Sequence, residues 1–423
     1  REKLLSLVNN LLFPYLKGNE IELNGKKLRF EINETTPLKQ RIARYVFEDA
    51  QNYMKDGVLL RQVINVINEV DFSEYKERHE FGTIYETILK SLQSAGNAGE
   101  FYTPRAVTDF MVQMIAPKLG ESVADFACGT GGFLTSTLKY LEPQRRSEED
   151  IDKYNNTVYG IEKKPLPFLL CITNMLLHDV DEPKIYHSNS LEKNVRDYKE
   201  SDKFDIVLMN PPYGGAEKDA VKNNFPAELR SSETADLFMN VIMYRLKKNG
   251  RAAVIIPDGF LFGTDNAKTA IKAKMLSEFN LHTVIRMPHS VFAPYTSITT
   301  NILFFDNTHP TEETWFYRMD MPGGYKNFSK TKPIMMEHFA PVIEWWGNRR
   351  EIEEEGFPKA KKYGTQELID RNYNIDLCGY PHEEEEILEP QELIKNYREK
   401  RVSLDADMNR VLDEIMRLLG ENE

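Results

Sequence analysis

The chain has 423 residues, more than one compact core usually holds, with 41% hydrophobic and 28% charged, the balance of a globular protein with a main domain and flanking modules. No apolar run is long enough to span a bilayer, and the opening REKLLSLVNNLLFPYLKG has no cleavage pattern of an export signal. A net charge of -12 repels a phosphate backbone, so tight unaided binding of nucleic acid needs a local basic face.

Residues 1–98 read as a helical domain whose start, at Arg1 rather than Met, is taken as incomplete. Thr36 and Pro37 suit an N-cap and first turn, followed by Ile42, Val46 and Phe47 on an apolar face. A second helix fits FGTIYETILKSLQSAG, closed by Gly96. Residues 99–320 alternate strands with helices, the pattern of parallel βαβ units. The strands are ESVADFA, TVYGIE, KIYHSN, FDIVLMN, RAAVIIP, LHTVIRM and TTNILFF, seven in all, between helices such as PLPFLLCITNMLLHD and TADLFMNVIMYRLKKNG. EPQRRSEEDIDKYNN is charged and reads as a solvated insertion. Residues 321–423 turn irregular and acidic until a last helix carries Leu393, Tyr397, Leu404, Met408, Val411, Ile415 and Leu419, a stripe for docking a partner or for packing on the chain's own core. The expected fold class is α/β: a seven-stranded, mostly parallel Rossmann-like sheet with an N-terminal helical domain and a C-terminal helical arm. Cys128, Cys171 and Cys378 are far apart, with no metal-ligand spacing; no metal is expected, and the reducing cytoplasm is the expected compartment.

Three segments carry chemistry. The strand ESVADFA runs into Asp125-Phe-Ala-Cys-Gly-Thr-Gly-Gly-Phe133, a glycine-rich turn that opens a helix. Gly129, Gly131 and Gly132 let the backbone approach a ligand, and the helix start offers free amide donors. The spacing departs from GxGxxG, which points away from dinucleotides and toward a cofactor with an amino-acid moiety and an adenosine. Asp125, Ala127 and Thr130 belong to the same turn. Glu162 ends the next strand, where an acid accepts from ribose hydroxyls, and Ser188, Asn189 and Ser190 end the third, suited to the adenine edge of the cofactor.

Asn210-Pro211-Pro212-Tyr213 follows the apolar strand FDIVLM, at the carboxyl edge where open α/β sheets bind ligands. An aromatic amine such as adenine N6 is a poor nucleophile, because its lone pair is delocalised into the ring. The Asn210 side-chain oxygen and the Pro211 carbonyl can each accept one of its hydrogens and localise that lone pair. Two prolines stiffen the turn, and Tyr213 offers a ring to stack on a base that has left its duplex. Upstream, Gly99-Glu100-Phe101-Tyr102-Thr103-Pro104-Arg105 precedes a helix, with Thr103 as the expected N-cap and Pro104 at the first turn. The aromatic pair Phe101 and Tyr102 and the cation Arg105 could meet the adenosyl part and the carboxylate of the cofactor.

Together these segments resemble the modification subunits of type I restriction-modification systems, from about FGTIYE through GEFYTPR, DFACGTGGF, GIE, NPPYG, VIIPDGFLF and VFAPYTSITTNILFF. The resemblance implies adenine N6 methylation of double-stranded DNA with S-adenosylmethionine. It implies cofactor contacts from Glu100, Phe101, Tyr102, Thr103, Pro104 and Arg105, from Thr130, Gly131 and Gly132, and from Glu162. It also implies Asn210 to Tyr213 as the catalytic tetrapeptide, with Phe292 as a second stacking surface for the extruded base. Phe126 stands where the family often carries proline. Residues 311–423 look too acidic and irregular for a target-recognition domain, which assigns sequence reading to a separate specificity subunit, in an assembly expected to hold two copies of this chain and able to recruit a cleavage subunit. An NPPY turn also resembles enzymes that methylate protein glutamine or adenine in RNA, and a cofactor-binding scaffold without catalysis is the alternative of another class.

Overall fold

The computed structural model describes residues 2–33, 36–48, 50–69, 85, 89, 102–180, 182–354, 356–379 and 390–418. The chain divides into two compact units, Arg1–Gly379 and Tyr380–Glu423. The boundary expected at residue 320 falls inside the first unit, which also takes in the N-terminal helices.

The N-terminal part is not purely helical. After a helical stretch at residues 2–16, strands β1 (Ile21–Leu23) and β2 (Lys26–Leu28) form a hairpin. Its two-residue turn places Asn24 at φ 52° and Gly25 at φ 73°, the left-handed pair that matches strand twist in a tight hairpin. Helices α1 (Leu38–Glu48) and α2 (Gly57–Asn68) follow. Thr36 closes a local turn, its hydroxyl donating to Asn33 Oδ1 at 3.1 Å, and α1 begins two residues later. Ile42 of α1 joins the buried cluster that contains Leu134, Leu138 and Ile172, so this part packs on the strand-and-helix part of the same unit. Of the expected helix at 81–96, only Tyr85 and Leu89 are described; both are helical and buried.

The first unit is built on a mixed sheet of ten strands rather than seven. The seven expected strands are present: β3 (Val123–Asp125), β4 (Val158–Glu162), β5 (Lys184–His187), β6 (Phe204–Met209), β7 (Leu246–Pro257), β8 (Asn280–Arg286) and β9 (Thr300–Asp306). Three more, β10 (Glu313–Arg318), β11 (Ile352–Glu354) and β12 (Phe357–Gly364), extend one edge in the order β11-β12-β10-β8-β9-β7-β6-β3-β4-β5. Pairing from β5 through β7 is parallel, whereas β9 runs antiparallel to both β7 and β8. The β7 strand starts at Leu246, so the LKKNG expected to end the preceding helix is strand instead.

The central strands are apolar on both faces, as a covered sheet requires. In β6, Val207 and Met209 face one cluster with Leu237, Val241 and Met275, while Ile206 and Leu208 face another with Val107, Phe110 and Phe339. Helices α3 (Arg105–Ile115), α4 (Gly132–Leu141), α5 (Glu148–Asn155), α6 (Pro165–Leu177), α7 (Thr234–Arg245), α8 (Asn266–Glu278) and α9 (Ala340–Gly347) cover these faces. Phe110 of α3 stacks on Phe339 with ring centroids 4.3 Å apart, and burying a ring of this size contributes about 2–3 kcal/mol. The charged insertion holds α5, whose start is a reciprocal capping box of Ser147 and Asp150. In the second unit, α10 (Pro390–Leu418) leaves Tyr397, Leu404, Met408 and Val411 exposed.

Candidate active site

Strand β3 lies between β4 and β6, so helical connections leave it toward opposite sides and a crevice opens at the carboxyl ends of these strands. Their last residues deliver Asp125, Glu162 and, one step beyond β6, Asn210 to that crevice. A cavity of about 350 Å³ occupies it, within the range of small-molecule sites.

The cofactor-side wall is the turn after β3. Cys128 N–H donates to the Ile161 carbonyl at 3.0 Å, and Gly131 N–H to the Cys128 carbonyl at 2.7 Å. Gly131, at φ 82°, forms the N-cap of α4, a left-handed conformation that favours glycine. Glu162 locks the turn: its Oε2 accepts from Gly129 N–H at 2.9 Å and its Oε1 from Lys164 N–H at 2.7 Å. Burial raises the Glu162 carboxyl above its ordinary range, with those amides opposing. Burial pushes Asp125 further, up to about 8, with Glu162 adding repulsion and the Ala127 amide opposing. Two buried carboxyl groups beside backbone donors suit a cation or hydroxyl groups.

Tyr102, Thr103, Asp125, Ala127, Gly132, Glu162, Asn189, Ser190, Asn210, Pro211, Pro212, Tyr213 and Phe292 all line this one cavity. Pro104, Arg105, Thr130 and Gly131 do not. Arg105 stands just behind: its guanidinium lies 5.3 Å from the Tyr102 ring centre, and a Cβ on Gly132 would meet its Nη1 at 2.5 Å. The Thr130 carbonyl accepts from Asn174 Nδ2 at 3.1 Å, a bond that steadies the turn from behind. Ser190 donates its hydroxyl to the Phe126 carbonyl at 2.6 Å, so it braces the same turn. Glu100 and Phe101 lie outside the described residues.

The opposite wall is the loop after β6. Thr103 does not cap α3, whose N-cap is Pro104 without a side-chain bond. Its Oγ1 instead accepts from Asn210 Nδ2 at 3.0 Å. Asn210 Oδ1 accepts from the Tyr213 hydroxyl, and burial holds that phenol well above its usual range, in its neutral donor form. Phe292 is buried and meets Tyr213 edge-on, with centroids 6.1 Å apart and planes at 83°, so it backs the Tyr213 ring in this structure.

Sequence reasoning missed how the loop is held. Ala216 forms a bridge with Glu233, and Thr234 donates to the Gly215 carbonyl at 3.1 Å. The buried Lys268 ammonium sits 2.6 Å from Glu233, 3.1 Å from Asp236 and 3.4 Å from Asp265. Tyr295, three residues past Phe292 and half exposed, also lines the cavity; its place in VFAPYTS was the available signal. Among the described residues no group of His, Cys, Asp and Glu could hold a metal ion.

The N-6 DNA methylase family matches residues 76–388. The chain is 46% identical over its whole length to the type I restriction enzyme EcoEI methylase subunit of Escherichia coli, covering 84% of that protein. It is 28% identical to the StySJI methylase subunit of Salmonella typhimurium, over 73% of this chain and 61% of that one. Among solved structures, a modification subunit of a putative type I restriction enzyme from Vibrio vulnificus superposes with a TM-score of 0.74 at 39% identity, over 84% of this chain and 76% of that one. A chain from a type I restriction-modification assembly gives 0.79 at 32% identity, over 100% of this chain and 85% of that one. A glycine turn locked by a strand-end acid, facing an NPPY loop across one cavity, is thus set in a chain that belongs to the N-6 DNA methylase family.

Proposed function

We infer that this chain is the modification subunit of a type I restriction-modification system and methylates N6 of an adenine flipped out of DNA. The observation that carries this reading is the placement of Asn210 and Pro211 on the same cavity as Asp125, Glu162 and the glycine turn. The donor set suits S-adenosylmethionine. When bound, that cofactor supplies an electrophilic methyl group on a sulfonium. Glu162 accepts from its ribose hydroxyls through the lone pairs its amide partners leave free, and Asp125 faces its cationic amino-acid end. Arg105 and the first turn of α4 converge beside Gly132, where a cation and a helix start together suit a carboxylate.

Asn210 Oδ1 and the Pro211 carbonyl accept the two N6 hydrogens and turn the nitrogen lone pair toward the methyl group. The bound cofactor would supply the methyl group and leave as a neutral thioether, and N6, held by these two acceptors, would shed one proton. Positioning supplies most of the rate, because the methyl donor is already activated. Tyr213 stacks on the flipped base, and Phe292 and Tyr295 shape the pocket that receives it.

With a net charge of -12, this chain needs a partner to hold DNA. The exposed stripe of α10 suits a specificity subunit, within an assembly of two such chains that a cleavage subunit joins, in the cytoplasm. Among the described residues no helix is long and apolar enough to cross a membrane. The test is labelled-methyl transfer onto unmodified genomic DNA, ribosomal RNA and whole-cell protein, with and without the co-expressed specificity subunit. Label in DNA N6-methyladenine, dependent on that subunit, is the expected result; label in RNA or in protein glutamine would overturn the reading.

A further inference from the structure

The Asn210 amide is gripped at both ends. Nδ2 donates to Thr103 Oγ1 at 3.0 Å across 107 residues of sequence, and Oδ1 accepts the Tyr213 hydroxyl. Thr103 has no capping bond to α3 that would otherwise account for it. We propose that Thr103 is a positioning residue for methyl transfer: its hydroxyl holds the Asn210 side chain in place while Oδ1 exchanges the Tyr213 hydroxyl for the incoming amine. The inference rests on the reading of Asn210 as an acceptor for adenine N6.

The terminal torsion of an unrestrained primary amide is broad, and Oδ1 localises the amine lone pair only while that torsion keeps it aimed at N6. Tyr213 cannot hold the orientation throughout the reaction. Its hydroxyl occupies the acceptor that the amine must use, and its ring must lie against the base. Thr103 binds the other end, clear of the amine, and stays engaged when the base arrives. Donation from Nδ2 also polarises the amide and strengthens Oδ1 as an acceptor.

The experiment uses the full chain with its specificity subunit on unmodified target DNA, comparing wild type, Thr103→Val and Thr103→Ser. Valine keeps the shape and removes the acceptor; serine keeps the acceptor. Single-turnover methyl transfer should slow by about ten-fold or more in Thr103→Val, the fold-change of one orienting hydrogen bond, and by no more than about two-fold in Thr103→Ser. Affinity for S-adenosylhomocysteine, measured by calorimetry, should fall by less than the rate in Thr103→Val, because Thr103 borders the cavity but the bond that is lost runs to Asn210. Three results overturn the proposal: a wild-type rate in Thr103→Val, a loss of cofactor affinity that accounts for the slowed rate, or equal slowing in both variants. Wild-type complex that transfers no methyl to DNA would instead overturn the functional reading, and this proposal with it.

Discussion

Gly131→Ala is the sharpest test of how the cofactor turn is built. Two separate penalties meet at this position. The backbone sits at φ 82°, where a side chain costs about 1–2 kcal/mol. A Cβ there would also lie 2.9 Å from Cys171 Sγ and 3.2 Å from Met175 Cε. Met175 ends in a flexible methyl that can swing aside, but Cys171 is fully buried on α6, and overpacking of this kind costs about 1–3 kcal/mol. The sum is about 2–5 kcal/mol, and cofactor affinity should fall with it, because Gly132 next in the chain lines the cavity. Urea melts of wild type, Gly131→Ala, Cys171→Ala and the double variant separate the two parts. Removing Sγ should return the contact penalty, a coupling of about 1–2 kcal/mol, and leave the backbone penalty in place. If the four free energies add within about 0.5 kcal/mol, the contact with Cys171 is not what constrains the turn.

Asn210→Ala should abolish methyl transfer, while S-adenosylhomocysteine still binds nearly as in wild type; Glu162→Ala should do the reverse and weaken the cofactor, because it also frees the Gly129 amide. Calorimetry and single-turnover assays on both variants would expose an exchange of the two effects. Asp125, pushed up to about 8 by burial, holds a proton at neutral pH before a cofactor binds, and a cationic ligand favours its carboxylate form. Binding below pH 8 should therefore release a proton and affinity should climb as pH rises, levelling off above about 8; calorimetry in buffers of different ionisation heat reads this, and Asp125→Asn should remove it. Lys268→Met leaves the buried Asp236 without its cation, which should cost about 3–5 kcal/mol in a urea melt and slow turnover as the loop anchored through Glu233 loosens.

Much of the fold could be read locally. The near-continuous apolar runs of β6, β7 and β9 reveal strands because both faces of these strands are covered, and the glycine turn and NPPY loop follow strands as their chemistry requires. The β1-β2 hairpin carried a legible signal, Asn24-Gly25, that a helical reading of the N-terminus passed over. Strands β10 to β12 had no comparable signal. The short β11 lies at the edge among charged residues and β12 holds three lysines and two aromatics in FPKAKKYG, so their pairing is decided by the neighbour they meet.

The amino-acid sequence determined the chemistry on offer: which residues turn, which accept, which stack. It also placed them at strand ends, since alternation and glycine spacing are properties of a few consecutive residues. Which of them touch was decided only by the tertiary structure. Thr103 reads locally as a helix cap, yet its hydroxyl lies on Asn210, 107 residues further on, because hydrogen bonding is settled by whichever donor the folded backbone brings within 3 Å, and no local pattern encodes a partner in another loop.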